Sequence, residues 1–188
     1  MTTVLLVLSA RPPHKPICRP APIEDRWAML QLATRGDPVL EASDLEIRRP
    51  GPSYTVDTLC EVAQRQTGRE IFLIVGIDAY AEVDTWHQPE RLLELANIIV
   101  TTRPEHHLPA HGVQPPVAAA TECCYDSRIG GHTHRSGHRL FVHLLDGLTI
   151  SSTQIRRRAA LGLDVSTLTG PEVAEYIRTH RLYEVRGR

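Results

Sequence analysis

The stretch Ile150–Arg158 reads ISSTQIRRR, two serines and a threonine set directly ahead of a helical pattern that carries three arginines. Hydroxyls at that place cap a helix, and the first-turn N–H groups of such a helix point outward and bind anions. Ser151 and Ser152 head the turn, and Arg156, one turn inside, can fork over the oxygens of a polyphosphate. The plain alternative is a capped surface helix with solvated arginines. A second cationic group, Arg11-Pro12-Pro13-His14-Lys15-Pro16, follows a short apolar run at Val4–Leu8. Its prolines stiffen the loop and lower the ordering cost of presenting His14 and Lys15 to an anion. A rigid surface loop with solvated ends is the competing reading.

Gly76-Ile77-Asp78 closes the most apolar run of the chain, Ile71–Val75. Glycine there admits close backbone approach, and Asp78 can accept from a ribose hydroxyl or simply cap a helix. Pro52-Ser53-Tyr54-Thr55 and Trp86 suit a planar aromatic ligand, with an indole to stack on and hydroxyls and amides to hold a carboxylate. Trp86 as a half-buried packing residue is the alternative.

The elements that must position these residues alternate. Val4–Leu8, Leu40–Ser43, Leu45–Ile47, 71–75, Asn97–Thr102 and Leu140–Leu144 read as strands. Glu24–Thr34, Thr55–Gln66, Pro89–Leu95, Thr153–Leu161 and Pro171–His180 read as helices, the last with proline in its first turn. This pattern predicts an α/β fold with a mainly parallel sheet and a ligand crevice at the carboxyl ends of the strands, where the residues named above fall. Residues 104–138 hold six of the ten histidines without clear periodicity and read as an irregular insertion in a single domain spanning 1–188.

With 188 residues, 41% apolar and 23% charged, the chain is an ordinary globular protein with room for a core. Its net charge of −1 provides no global field for nucleic acid, so an anion site must be local. No apolar run reaches membrane-spanning length, and VLLVLSA lacks the preceding cations of a signal peptide. Cys18, Cys60, Cys123 and Cys124 show no C-x-x-C spacing and read as reduced thiols, which predicts a cytoplasmic protein. Oligomeric state is not written in this pattern.

Together, ARPPHKP, EDRWAML, SDLEIRRPGPSYTVDTL, FLIVGIDAY followed by DTW, NIIVTTRP, ISSTQIR and VAEYIRTHRLY resemble the bacterial nicotinate-nucleotide adenylyltransferases of NAD synthesis. The resemblance implies a Rossmann-like nucleotidyltransferase fold and adenylyl transfer from ATP, with Mg²⁺, to nicotinate mononucleotide. It implies that His14 and Lys15 lie by the mononucleotide phosphate or the reacting centre, and that Tyr54, Thr55 and Trp86 form the nicotinate pocket. Gly76 and Asp78 would border the nucleotide, Arg103 the adenine side, and Ser151, Ser152 and Arg156 the ATP tail. His14, Lys15 and Arg156 are thereby the catalytic candidates, and no protein metal ligand is implied.

The family opens with a strand, a Gly-Gly-Thr-Phe-Asp-Pro turn and a His-x-Gly-His motif. None of these precedes Val4, so the sequence as written starts at what resembles the second strand, with the first βα unit missing. A start codon placed too far downstream would produce this. The alternatives are a catalytically impaired nucleotide-binding remnant, or an adenylyltransferase for another acceptor such as nicotinamide mononucleotide or phosphopantetheine. His134-Arg135-Ser136-Gly137-His138 is one residue too long for a displaced His-x-Gly-His. Cys123, Cys124, His132, His134 and His138 have ligand chemistry without a recognised metal spacing.

Overall fold

A computed structural model describes residues 3–13, 21–102, 112–145 and 150–184. Its contacts divide the chain into two compact units, Met1–Ser53 with Ile150–Arg188, and Tyr54–Thr149.

In the first unit, β1 (Val4–Val7) runs parallel to β2 (Leu40–Ser43), with Val4 opposite Leu40 and Val7 opposite Ser43. Between them lies α1 (Ile23–Thr34), which starts after Pro22 with Glu24 and Asp25 in its first turn, where acidic groups favour a helix start. The Leu45–Ile47 piece is not strand: it belongs to α2 (Leu45–Arg48), a single turn held by an Asp44–Arg48 ion pair. Its apolar alternation is too short to distinguish strand from helix.

The second unit opens with α3 (Thr55–Arg65), followed by β3 (Phe72–Gly76), α4 (Ile77–Tyr80) and α5 (Leu92–Leu95). Then come β4 (Asn97–Thr102), β5 (Cys123–Asp126), β6 (Gly131–His134) and β7 (Arg139–Leu144), in a sheet of order β3-β4-β7-β6-β5. The β3-β4-β7 part is parallel and the β7-β6-β5 part antiparallel. Leu73, Val75, Ile98, Val100, Leu140 and Val142 share one face and build the core with Val56, Leu59, Leu92 and Leu93. The opposite face presents Phe72 and Ile74, both exposed.

The stretch read as irregular at 104–138 therefore holds regular structure in its described part. β5 and β6 form a hairpin there that passes into β7. The pattern was hidden because both faces carry cysteine, histidine and threonine in place of alternating apolar residues. Among the described residues of this stretch, His134 and His138 are held by hydrogen bonds. The fully buried His134 side chain joins Glu122 Oε2 at 2.9 Å and Ser136 Oγ at 2.8 Å, and Ser136 Oγ donates to the Leu93 carbonyl at 2.7 Å.

The chain returns to the first unit with α6 (Ser152–Ala160), α7 (Ser166–Thr169) and α8 (Pro171–Thr179). Val165, Val173 and Ile177 form a small core with Met29, Leu32 and Ile155.

Candidate active site

The pyridine-side candidates all lie in the 54–149 unit. Tyr54 occupies the N-cap position of α3 in extended backbone and makes no side-chain cap, so the amides of the Thr55 turn have no side-chain acceptor from it. A first turn of this kind can receive a carboxylate. The Tyr54 ring packs against the main core and stacks on His87, with centroids 4.3 Å apart. Trp86, which directly follows a short turn at Val83–Thr85, packs against the same core and is half-buried. It is thus a packing residue with an accessible part.

Asp84 within that turn and Tyr80 just before it make bonds to the 114–117 stretch. Val117 N–H donates to Asp84 Oδ1 at 2.7 Å, and Tyr80 Oη donates to the Gln114 carbonyl at 3.0 Å. Burial, followed by the nearby Asp84 charge, pushes the Tyr80 hydroxyl well above its ordinary range, so it stays a donor. Gln88 adopts a left-handed backbone (φ 50°) and accepts from Arg91 Nη1 at 2.7 Å. Left-handed backbone favours glycine or asparagine, so the residue type gave no signal of this turn. GIDAY offered the one readable signal, a tyrosine one turn after the strand end.

Gly76 ends β3 and caps α4, with ordinary φ and ψ. A Cβ placed there would meet nothing within 4 Å, so neither backbone nor packing demands glycine. The residue leaves open space at the carboxyl end of the strand. Asp78 lies inside the first turn of α4, exposed, and is not its cap.

The polyphosphate-side candidates lie in the other unit. Ser151 is the N-cap of α6 and its Oγ accepts from the Gln154 amide at 3.1 Å, which leaves the Ser152 and Thr153 amides at the open end of the turn. Arg156 turns back toward that end, with Nη2 donating to Thr153 Oγ1 at 3.2 Å. The guanidinium therefore sits over the capped turn, as the spacing of ISSTQIR predicts. After β1, the Arg11 amide donates to Ser53 Oγ and the Ser53 amide returns a bond to the Arg11 carbonyl, both at 3.0 Å. His14, Lys15 and Arg103 lie outside the described residues.

Residues 2–158 match the family described as Cytidylyltransferase-like. A relative from Geobacter metallireducens named "Probable nicotinate-nucleotide adenylyltransferase" is 38% identical over 180 residues, covering 96% of this chain and 83% of its own length. One of the same name from Citrifermentans bemidjiense is 37% identical over 182 residues, with the same two shares. The chain belongs to the nicotinate-nucleotide adenylyltransferase family. The fold agrees: Plasmodium falciparum nicotinic acid mononucleotide adenylyltransferase complexed with NaAD superposes with a TM-score of 0.66 at 15% identity, over 97% of this chain and 83% of that one. The mixed, mostly parallel sheet with flanking helices is that of the family. Among the described residues, no helix is long and apolar enough to cross a membrane.

Proposed function

We infer that this chain transfers the adenylyl group of ATP to nicotinate mononucleotide, giving deamido-NAD and pyrophosphate in NAD biosynthesis. The observation that carries this reading is the 38% identity, sustained over 96% of the chain, to a relative that bears the name of that activity.

In the reaction, a phosphate oxygen of the mononucleotide attacks the α-phosphorus of ATP. The bond to the bridging oxygen breaks, and pyrophosphate leaves with the electron pair. No covalent enzyme intermediate forms, so the protein contributes position and charge neutralisation. Ser151, Ser152 and Arg156 hold the ATP tail: the open amides of α6 and a guanidinium turned over them make one anion-accepting surface. Tyr54, Thr55 and Trp86 receive the nicotinate ring and its carboxylate, with Gly76 and Asp78 at the nucleotide border. His14 and Lys15 serve the reacting phosphates, and Arg103 the adenine side.

ATP enters as its Mg²⁺ complex. In this reading the cation is carried by the phosphate oxygens of the nucleotide. When bound, the ion supplies charge neutralisation of the polyphosphate. The unpaired thiols of Cys60, Cys123 and Cys124 fit a reducing cytoplasm as the place of the reaction.

The test is pyrophosphate release from ATP with nicotinate mononucleotide, nicotinamide mononucleotide or phosphopantetheine as acceptor. Release with the first is expected at least about tenfold above the others, because a site that binds a carboxylate rejects a neutral isostere. A preference for another acceptor would reassign the substrate. Binding of nucleotides with no release from any of the three would favour the impaired nucleotide-binding remnant.

A further inference from the structure

Packing seats Tyr54 and Trp86 on the large core, and hydrogen bonds hold the chain on either side of the Trp86-His87 pair. Ahead of the pair, Asp84 Oδ1 accepts from the Val117 amide at 2.7 Å. After it, Gln88 adopts φ 50° and ψ 56° directly before Pro89. The left-handed region is unfavourable for a residue that carries a Cβ, and a residue ahead of proline is pushed toward extended backbone. A turn of this kind persists only where its surroundings hold it.

One side chain does so. Arg91 is half-buried at the end of the tight turn Pro89–Arg91, and its amide donates to the Gln88 carbonyl at 3.1 Å. Its Nη1 donates to Gln88 Oε1 at 2.7 Å, and its Nη2 to Cys60 Sγ at 3.6 Å. Cys60 lies on α3, the helix whose first turn follows Tyr54. A planar guanidinium serves two acceptors in one fixed fork, which a lysine ammonium does not reproduce. The exposed His87 ring completes the connection by stacking on Tyr54, with 29° between the ring planes. Every residue of this circuit lies within the 54–149 unit.

We propose that Arg91 is a positioning residue for the acceptor ring: it holds Gln88 left-handed and ties it to α3, which fixes Trp86 and His87 at a set place relative to Tyr54 and Thr55. In that role, which rests on the substrate reading given above, Arg91 acts through the 86–88 segment and does not itself touch substrate.

The experiment has two arms on the full chain. The first needs no substrate: in a Trp27→Phe background Trp86 is the sole tryptophan, and acrylamide quenching of its fluorescence reports how firmly it is held. Arg91→Met and Arg91→Lys are each expected to speed quenching about twofold with the helical circular dichroism unchanged. Unchanged quenching in both, or quenching that rises only together with loss of the helical signal, would overturn the clamp. In the second arm, affinities for nicotinate mononucleotide and for ATP are measured by calorimetry across a cycle of Arg91→Met and Gln88→Gly. Arg91→Met alone is expected to weaken nicotinate mononucleotide about fivefold and to leave ATP within about twofold, because the ring side loses its preorganisation. Beside Gln88→Gly, which cuts the same link and adopts left-handed backbone freely, it is expected to add less than about twofold. Equal losses for both nucleotides, or losses that multiply across the cycle, would overturn positioning through Gln88. A wild-type chain that does not bind nicotinate mononucleotide would refute the substrate reading, while the quenching arm still decides the clamp.

Discussion

In the 54–149 unit, eleven buried residues pack beneath three parallel strands, and the pyridine-side candidates sit on elements rooted in that core. Among the described residues of the other unit only Val165, Val173 and Ile177 form a buried cluster, and all four residues of β1 stay half-buried beside one described neighbouring strand. There the geometry rests on polar staples: Arg26 on three carbonyls, Arg11 with Ser53, Tyr176 on Asp25, and Ser151 on Gln154. Packing is cooperative and unforgiving of lost volume, whereas staples act locally and can be removed one at a time. The candidate residues for a flat ring are thus set by packing, and those proposed for a charged polyphosphate by directed hydrogen bonds.

The sharpest way to break this contrast is a volume deletion in the larger core. Ile98→Ala, at a fully buried position between β3 and β7, is expected to cost about 2–5 kcal/mol in denaturant unfolding. A cost under about 1 kcal/mol would mean that the unit is not packing-limited. Among the staples, Ser151→Ala should cost about 1 kcal/mol through the lost cap, read in the same melts. Tyr176→Phe removes one side-chain bond to Asp25 and is expected to cost about 1 kcal/mol, with the core of the other unit unaffected.

The smallest effect is a pH dependence. Burial holds the His132 imidazole below its ordinary value, and its Nδ1 is buried with no hydrogen-bond partner. The folded chain therefore binds fewer protons here than the unfolded one. This contribution is fully present above the ordinary histidine range and is lost as pH falls from there toward the lowered folded value. His132→Phe should flatten that part of the melting temperature profile; an unchanged slope would place its origin elsewhere.

How far the sequence carried the reading differs between the same two regions. Strands β1, β2, β4 and β7 and helices α1, α3, α6 and α8 were legible because apolar periodicity, proline and cap residues all pointed one way. The Ser151 cap and the backward turn of Arg156 were readable from ISSTQIR alone, since they depend on neighbours within one helical turn. The hairpin of β5 and β6 was not, because Cys123, Cys124, His132 and His134 satisfy strand geometry without apolar alternation. Nor were Arg26, Tyr80 and Asp84, whose partners lie from 5 to 34 residues away. No local pattern records such pairings. Gly76, read as a glycine that admits close backbone approach, has open space around its Cα.

The central claim is that ring recognition belongs to one unit and polyphosphate recognition to the other. Steady-state kinetics of Trp86→Phe and Arg156→Ala, each with both substrates varied, tests it most directly. Trp86→Phe should raise the KM for nicotinate mononucleotide about fivefold or more and leave the KM for ATP within about twofold, with Arg156→Ala giving the reverse pattern. Both variants shifting both KM values alike, or Arg156→Ala leaving ATP untouched, would contradict the account.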